Sequence, residues 1–129
     1  MGNPRMRTAL KLDQGLGSAK KGVAHWWIQR MTAIALIPLT LWFVGSLMAV
    51  ADSNYSTVTG WFKNPFTTIL MVSLLIAVFY HIALGLRVVV EDYVHVEGVK
   101  IAAVMTMNFA CFALAATGIY ATLRIAFGA

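Results

Sequence analysis

The chain has 129 residues, 60% of them hydrophobic and 12% charged, with a formal net charge of +5. A water-soluble domain of this size cannot hide so much apolar surface, so the composition points to one membrane-embedded domain. The basic residues Arg5, Arg7, Lys11, Lys20, Lys21 and Arg30 stand at or before the first long apolar run. No basic stripe interleaved with aromatics recurs elsewhere, so this charge suits a membrane surface and excludes a nucleic-acid partner. The single cysteine, Cys111, allows no internal disulfide, and without a CxxCH run covalent haem attachment is excluded.

Residues 1–24 read as a basic, cytoplasmic N-terminal tail that is retained. Lys20 and Lys21 still intervene before the apolar run, and that run is too long for a signal peptide. Such a tail is partly mobile alone and ordered where a partner covers it. Residues 25–129 read as a single three-helix transmembrane domain, all-α, with spans at about 27–50, 65–90 and 99–125. Trp26 and Trp27 open the first span at headgroup level. Arg30 lies just inside it, where it either snorkels to the surface or faces a bound anion. Pro38 stands mid-span and predicts a kink.

Residues 51–64 carry Ser, Asn, Thr and Gly and read as a loop, with Trp61 and Phe62 as an interfacial anchor. Asn64 followed by Pro65 predicts a cap and first turn for the second span. Residues 91–98 form a short acidic connection. In the third span, Ala113, Ala115, Ala116, Thr117 and Gly118 give a face on which another helix can approach closely. The N-terminal cluster of cations, against Lys63 alone in the first loop, places the N-terminus and the second loop in the cytoplasm. The fold expected is therefore a three-helix unit within a larger heteromeric bundle.

The most informative stretch is Phe79–Tyr93. His81 is the histidine that falls in the middle of an apolar run, where a polar group needs a partner. On a helix, Gly85 lies about 40° from His81, and Val88 and Asp92 about 20° to either side. The four share one face, and Gly85 would leave clearance for a flat ligand held by His81. The other reading is a histidine hydrogen-bonded to a neighbouring helix. The remaining histidines, His25 and His95, lie near the cytoplasmic interface. A low-spin haem takes two axial histidines, so a haem on His81 would draw its second ligand from another chain. At the end of the span, Tyr93 can donate a hydrogen bond to a quinone carbonyl, and Asp92 can orient it or move protons. Arg87, one turn earlier, is placed to balance Asp92. The plainer reading is a belt tyrosine beside a capping acid.

His81-x3-Gly85-x6-Asp92-Tyr93 resembles the signature of the small membrane-anchor subunit, the D subunit, of succinate dehydrogenase (respiratory complex II). Gly22-Val23 and Arg30-x-Thr32-Ala33 resemble the start of that subunit's first helix. The likeness covers roughly residues 17–127, and residues 1–16 match no part of it. The signatures of the companion C subunit, a Ser-x-x-His-Arg run and a His-rich second helix, are absent. The resemblance implies that His81 is an axial ligand of haem b, shared with a C-type cytochrome b subunit. It implies that Tyr93 and Asp92 meet ubiquinone and that Arg30 lies near the haem propionates. It also implies an iron–sulfur subunit and a flavoprotein subunit as partners, membrane lipid around the bundle, and a bacterial inner membrane as location.

On this reading the chain passes electrons from succinate oxidation to quinone in the respiratory chain and tricarboxylic acid cycle. It is not catalytic alone, having no flavin motif and no cysteine set for iron–sulfur clusters. Two readings from other classes compete. One is a structural anchor or assembly subunit in which His81 only hydrogen-bonds. The other is a small proton- or ion-conducting subunit with His81 and Asp92 as relays.

Overall fold

A computed structural model describes the backbone of residues 4–128 and the side chains of residues 22–128. The basic side chains Arg5 to Lys21, and with them the tail's expected role, lie outside the described side chains. Four helices follow in order: α1 (Pro4–Val50), α2 (Tyr55–Lys63), α3 (Pro65–Tyr93) and α4 (Glu97–Phe127). No strand occurs among the described residues. Three helical stretches are long and apolar enough to cross a membrane: Gly22–Val50, Pro65–Tyr93 and Glu97–Phe127. Helices are what such sequences must form in hydrocarbon, because each backbone group then finds its partner within its own segment. The helix of the first span passes through Pro38, which lies exposed on its surface.

The expected loop at 51–64 is mostly helix. Asn54 caps α2 by accepting from the Thr57 N–H at 2.9 Å. Trp61 and Phe62 are half-buried, and Trp61 stacks on Trp42 of α1 at 5.9 Å between ring centroids. This aromatic packing offsets the poor helix propensity of its Ser, Thr and Gly residues. Asn64 ends α2 and caps α3, accepting from the Phe66 N–H at 3.0 Å, with Pro65 in the first turn as the sequence predicts. The acidic connection is shorter than expected. Helix α3 runs on to Tyr93 and α4 begins at Glu97, so only Val94, His95 and Val96 join them. So short a link makes α3 and α4 antiparallel neighbours.

Helix α3 is central, with α1 on one side and α4 on the other. The α1–α3 contact follows a heptad. On α1, Gln29, Thr32, Leu36, Leu39, Phe43, Ser46 and Val50 are all half-buried. On α3, Thr67, Met71 and Leu74 are buried, and the same spacing continues through Val78, His81 and Gly85. A repeat averaging about 3.5 residues keeps one seam facing one partner along the helix. The α3–α4 contact closes at Gly118, where a Cβ would stand 3.2 Å from both methyl carbons of Leu75. Part of the small-residue face of α4 is thus used within the chain, whereas Ala113, Ala116 and Thr117 stay exposed.

Met71 and Leu74 are the only buried hydrophobic side chains among the described residues. Long apolar side chains such as Ile34, Ile37, Leu41, Phe109 and Phe112 face outward. Lipid or partner helices can cover them at little cost. The Gly118 contact yields a test: Gly118→Val crowds the Leu75 methyl carbons, so that either Leu75 or α4 must give way. It should lower the unfolding stability of the solubilised assembly by about 1–3 kcal/mol, the usual cost of overpacking, read by thermal denaturation.

Candidate functional site

His81 lies near mid-length of α3, about 18 Å along the axis from its Tyr93 end. The heptad turns it toward α1, where it is half-buried. Its Nδ1 lies 3.0 Å from the Thr32 Oγ1. The same hydroxyl oxygen lies 2.9 Å from the Ile28 carbonyl and 3.0 Å from the Gln29 carbonyl of its own helix. One turn toward the Tyr93 end, the Gln29 Nε2 lies 3.9 Å from where a Gly85 Cβ would stand. Thr32 with His81 and Gln29 with Gly85 are successive rungs of one antiparallel seam. The Gln29 Oε1 is buried without a hydrogen-bond partner, alone in this among the described side chains.

Beside this seam a groove of about 440 Å³ opens between α1 and α3, lined by Ala33, Leu36, Ile37, Thr40, Leu41 and His81. Its α1 wall is apolar except for Thr40. It is open on one side. Arg30 continues the Ala33, Ile37 and Leu41 stripe by one turn. Its guanidinium carbon sits 4.8 Å from the centre of the Trp26 ring, holding the charge at the end of the groove nearer the start of the span. No group of three or more His, Cys, Asp or Glu side chains converges among the described residues. A metal at His81 would therefore need most of its ligands from elsewhere, as a macrocycle provides.

The acidic end of α3 is separate from this groove. Tyr93 is 79% exposed, and Asp92 is exposed beside it. Neither lines the His81 groove. Arg87 does not balance Asp92: its Nε donates to the Glu91 Oε1 at 3.0 Å. Helical geometry decides this, because a residue four positions on shares the face of Arg87, whereas one five positions on is turned about 140° away. Arg87 also lines a second groove, of about 540 Å³, between α3 and α4, together with Tyr80, Ala83, Asn108, Cys111 and Phe112. Cys111 is a free, half-buried thiol on that wall.

The structure thus brings His81, Gly85 and the α1 stripe below Arg30 together, and leaves Asp92 and Tyr93 apart. Sequence reasoning missed Gln29 and the partnership of Thr32 with His81. The available signal was the α1 heptad, which carries three polar residues, Gln29, Thr32 and Ser46, in an apolar span.

A family profile described as "Succinate dehydrogenase/Fumarate reductase transmembrane subunit" matches residues 4–115, most of the chain. The chain belongs to that family. The match includes α1, α2, α3 and α4 as far as residue 115, and so the whole His81 seam. The succinate dehydrogenase hydrophobic membrane anchor subunit of Rickettsia bellii (strain RML369-C) is 35% identical over 88 residues, 68% of this chain and 70% of the relative. The Paracoccus denitrificans protein of the same description is 29% identical over 125 residues, 97% and 96% of the two chains. The succinate dehydrogenase membrane anchor subunit of Reclinomonas americana is 30% identical over 92 residues, 69% and 77%. Within this family of membrane anchors, the seam geometry makes a graded prediction at Gly85. Gly85→Ala meets Gln29 at ordinary contact distance and should change assembly stability by less than about 1 kcal/mol. Gly85→Leu should displace Gln29 and cost about 1–3 kcal/mol in the same denaturation assay.

Proposed function

We propose that this anchor holds the soluble subunits of a succinate dehydrogenase at a bacterial inner membrane and helps pass electrons to ubiquinone. His81 would be an axial ligand of haem b, shared with a C-type cytochrome b subunit. The observation that carries this is the setting of His81: a half-buried imidazole with Nδ1 against Thr32, on an apolar groove that is open to a second chain. The residues fit the group. Ala33, Leu36, Ile37 and Leu41 offer a flat apolar wall. Arg30 would supply a cation on the same stripe for the propionates, whereas Gly85 faces Gln29 and does not line this groove. When bound, the haem supplies a one-electron carrier within the bilayer.

The protein's own residues do the rest. His81 would hold the haem at mid-depth, and the apolar wall would exclude water. Tyr93 and Asp92 would meet the quinone headgroup at the cytoplasmic end of α3, beside the iron–sulfur subunit that the flavoprotein reduces. The Tyr93 hydroxyl donates to a carbonyl oxygen, and that bond strengthens as the oxygen gains negative charge. Asp92 orients the hydroxyl or passes protons from water. The chain is not catalytic alone.

A second reading has an observation behind it. Thr32 gives His81 the partner that a purely packing histidine would need. The visible spectrum of the purified complex separates the two. In the haem reading, His81→Leu shifts the haem bands or lowers haem content, whether or not the complex still assembles. An unchanged spectrum and potential would leave His81 a packing residue.

The quinone assignment has its own test. Tyr93→Phe keeps the ring and removes the hydroxyl. It should slow quinone reduction at sub-saturating quinone by the worth of one charge-assisted hydrogen bond, about 1.5–3 kcal/mol. Succinate oxidation by an artificial soluble acceptor should be largely unaffected. Equal rates with quinone in the two proteins would move the quinone site elsewhere. Orientation is checked with single cysteines in a Cys111→Ala background. Ser56→Cys should label only from outside the cytoplasm and His95→Cys only from within it.

A further inference from the structure

A threonine hydroxyl has one proton and two lone pairs. Around the Thr32 Oγ1 stand three possible partners: the Ile28 carbonyl at 2.9 Å, the Gln29 carbonyl at 3.0 Å and the His81 Nδ1 at 3.0 Å. The two carbonyl oxygens can only accept. A helical threonine commonly gives its proton back to the preceding turn, and one proton can be shared between neighbouring carbonyls. The oxygen then meets Nδ1 with a lone pair, and the contact is a hydrogen bond only if Nδ1 carries a proton that it donates. The two imidazole nitrogens have opposite roles in the neutral ring, so Nε2 is left as the unprotonated one.

The surroundings of the ring favour the same tautomer. With the proton on Nε2, an N–H would need an acceptor in hydrocarbon. Of the α1 residues lining the groove at His81, Ala33, Leu36, Ile37 and Leu41 have no side-chain acceptor, and only Thr40 has a hydroxyl. Helix α1 therefore supplies a built acceptor for Nδ1–H and an apolar wall beside the ring.

We infer that Thr32 is a positioning residue for His81: its hydroxyl accepts from Nδ1–H, fixes the tautomer with a free Nε2 lone pair, and orients the ring for a metal. This rests on the haem reading given above. A donated Nδ1–H makes an imidazole a stronger electron donor and holds its plane, as partners of metal-bound histidines generally do. Stronger donation favours ferric over ferrous iron. Losing the hydroxyl should therefore raise the haem midpoint potential and weaken haem retention.

The test compares whole purified complexes carrying Thr32→Val, Thr32→Ser or His81→Leu with wild type. Valine keeps the branched shape and removes the oxygen, whereas serine keeps the oxygen. Three properties are read: haem per complex after detergent washing, the redox midpoint, and the low-temperature paramagnetic spectrum of the ferric haem. Thr32→Val should weaken haem affinity about 10–100-fold, the usual effect of removing such a partner. It should also raise the midpoint and shift the ferric spectrum. A tenfold change in the ratio of ferric to ferrous affinity reads as about 59 mV. Thr32→Ser should restore all three readings. If Thr32→Val does not assemble, Thr32→Ala takes its place with the same readings expected.

Wild-type midpoint, ferric spectrum and haem retention in Thr32→Val, alongside an altered haem in His81→Leu, would overturn the role of Thr32 and leave His81 as the ligand. A lowered midpoint in Thr32→Val would overturn it too, because the sign would be wrong for a lost acceptor. An unaltered haem in His81→Leu would remove the haem reading and this inference together.

Discussion

The fold depends on one polar contact placed where water cannot help. In hydrocarbon, the apolar face of a helix has no preference for another helix over lipid. Polar groups do have a preference, because an unpaired one is costly there. The Thr32–His81 contact is the one side chain–side chain hydrogen bond between long helices among the described residues. It fixes the α1–α3 register at mid-depth, and the heptads on either side then fall into step. Slipping the register by one residue would turn both partners out of the seam and leave an imidazole without a partner.

Around that contact the packing is thin, and unevenly so. The buried apolar side chains Met71 and Leu74 lie toward the α2 end of α3, away from His81. Beside the Thr32–His81 contact an open apolar groove runs along α1 from Ala33 to Leu41. The Gly118–Leu75 approach likewise ties α4 to the α2 half of α3, and the α3–α4 groove opens beyond it, toward Arg87. Because α1 runs antiparallel to α3, the His81 groove extends from mid-length toward the α2 end, whereas the α3–α4 groove extends toward Arg87. With two open apolar grooves and only Met71 and Leu74 as buried apolar side chains among the described residues, the bundle suits a subunit of a larger assembly better than a self-contained protein.

Much of this was legible in the sequence, for reasons that differ by residue. The spans follow from hydropathy and length, and the start of α3 from Asn64-Pro65, because both are local signals. Helix α2 was not legible, since Ser, Thr and Gly read as loop, and its stability comes from Trp61 packing on Trp42. Arg87 was given the wrong partner because nearness in sequence was put before position on the wheel. His81 stood out as a polar residue at depth. Its partner did not, because a cross-helix register depends on two seams at once. Gln29 was hidden the same way: its buried, unpaired Oε1 is visible only once α1 lies against α3.

The separation of His81 from Tyr93 follows from the turn of α3 itself. His81 and Gly85 lie on the seam covered by α1. Tyr93 lies about 120° around the helix from His81, in line with Ile82, Leu86 and Val89. Those three residues are 42%, 39% and 50% exposed, and Tyr93 is 79% exposed. An apolar stripe therefore runs up α3 to the Tyr93 hydroxyl with neither α1 nor α4 over it. A hydroxyl can bind a quinone tightly only where water is displaced around the headgroup. Among the described residues nothing displaces it at Tyr93, so a quinone bound there would need a further covering surface. The two ends of the proposed electron path would thus share one requirement: His81 and Tyr93 would each need a wall beyond the described residues to complete the site.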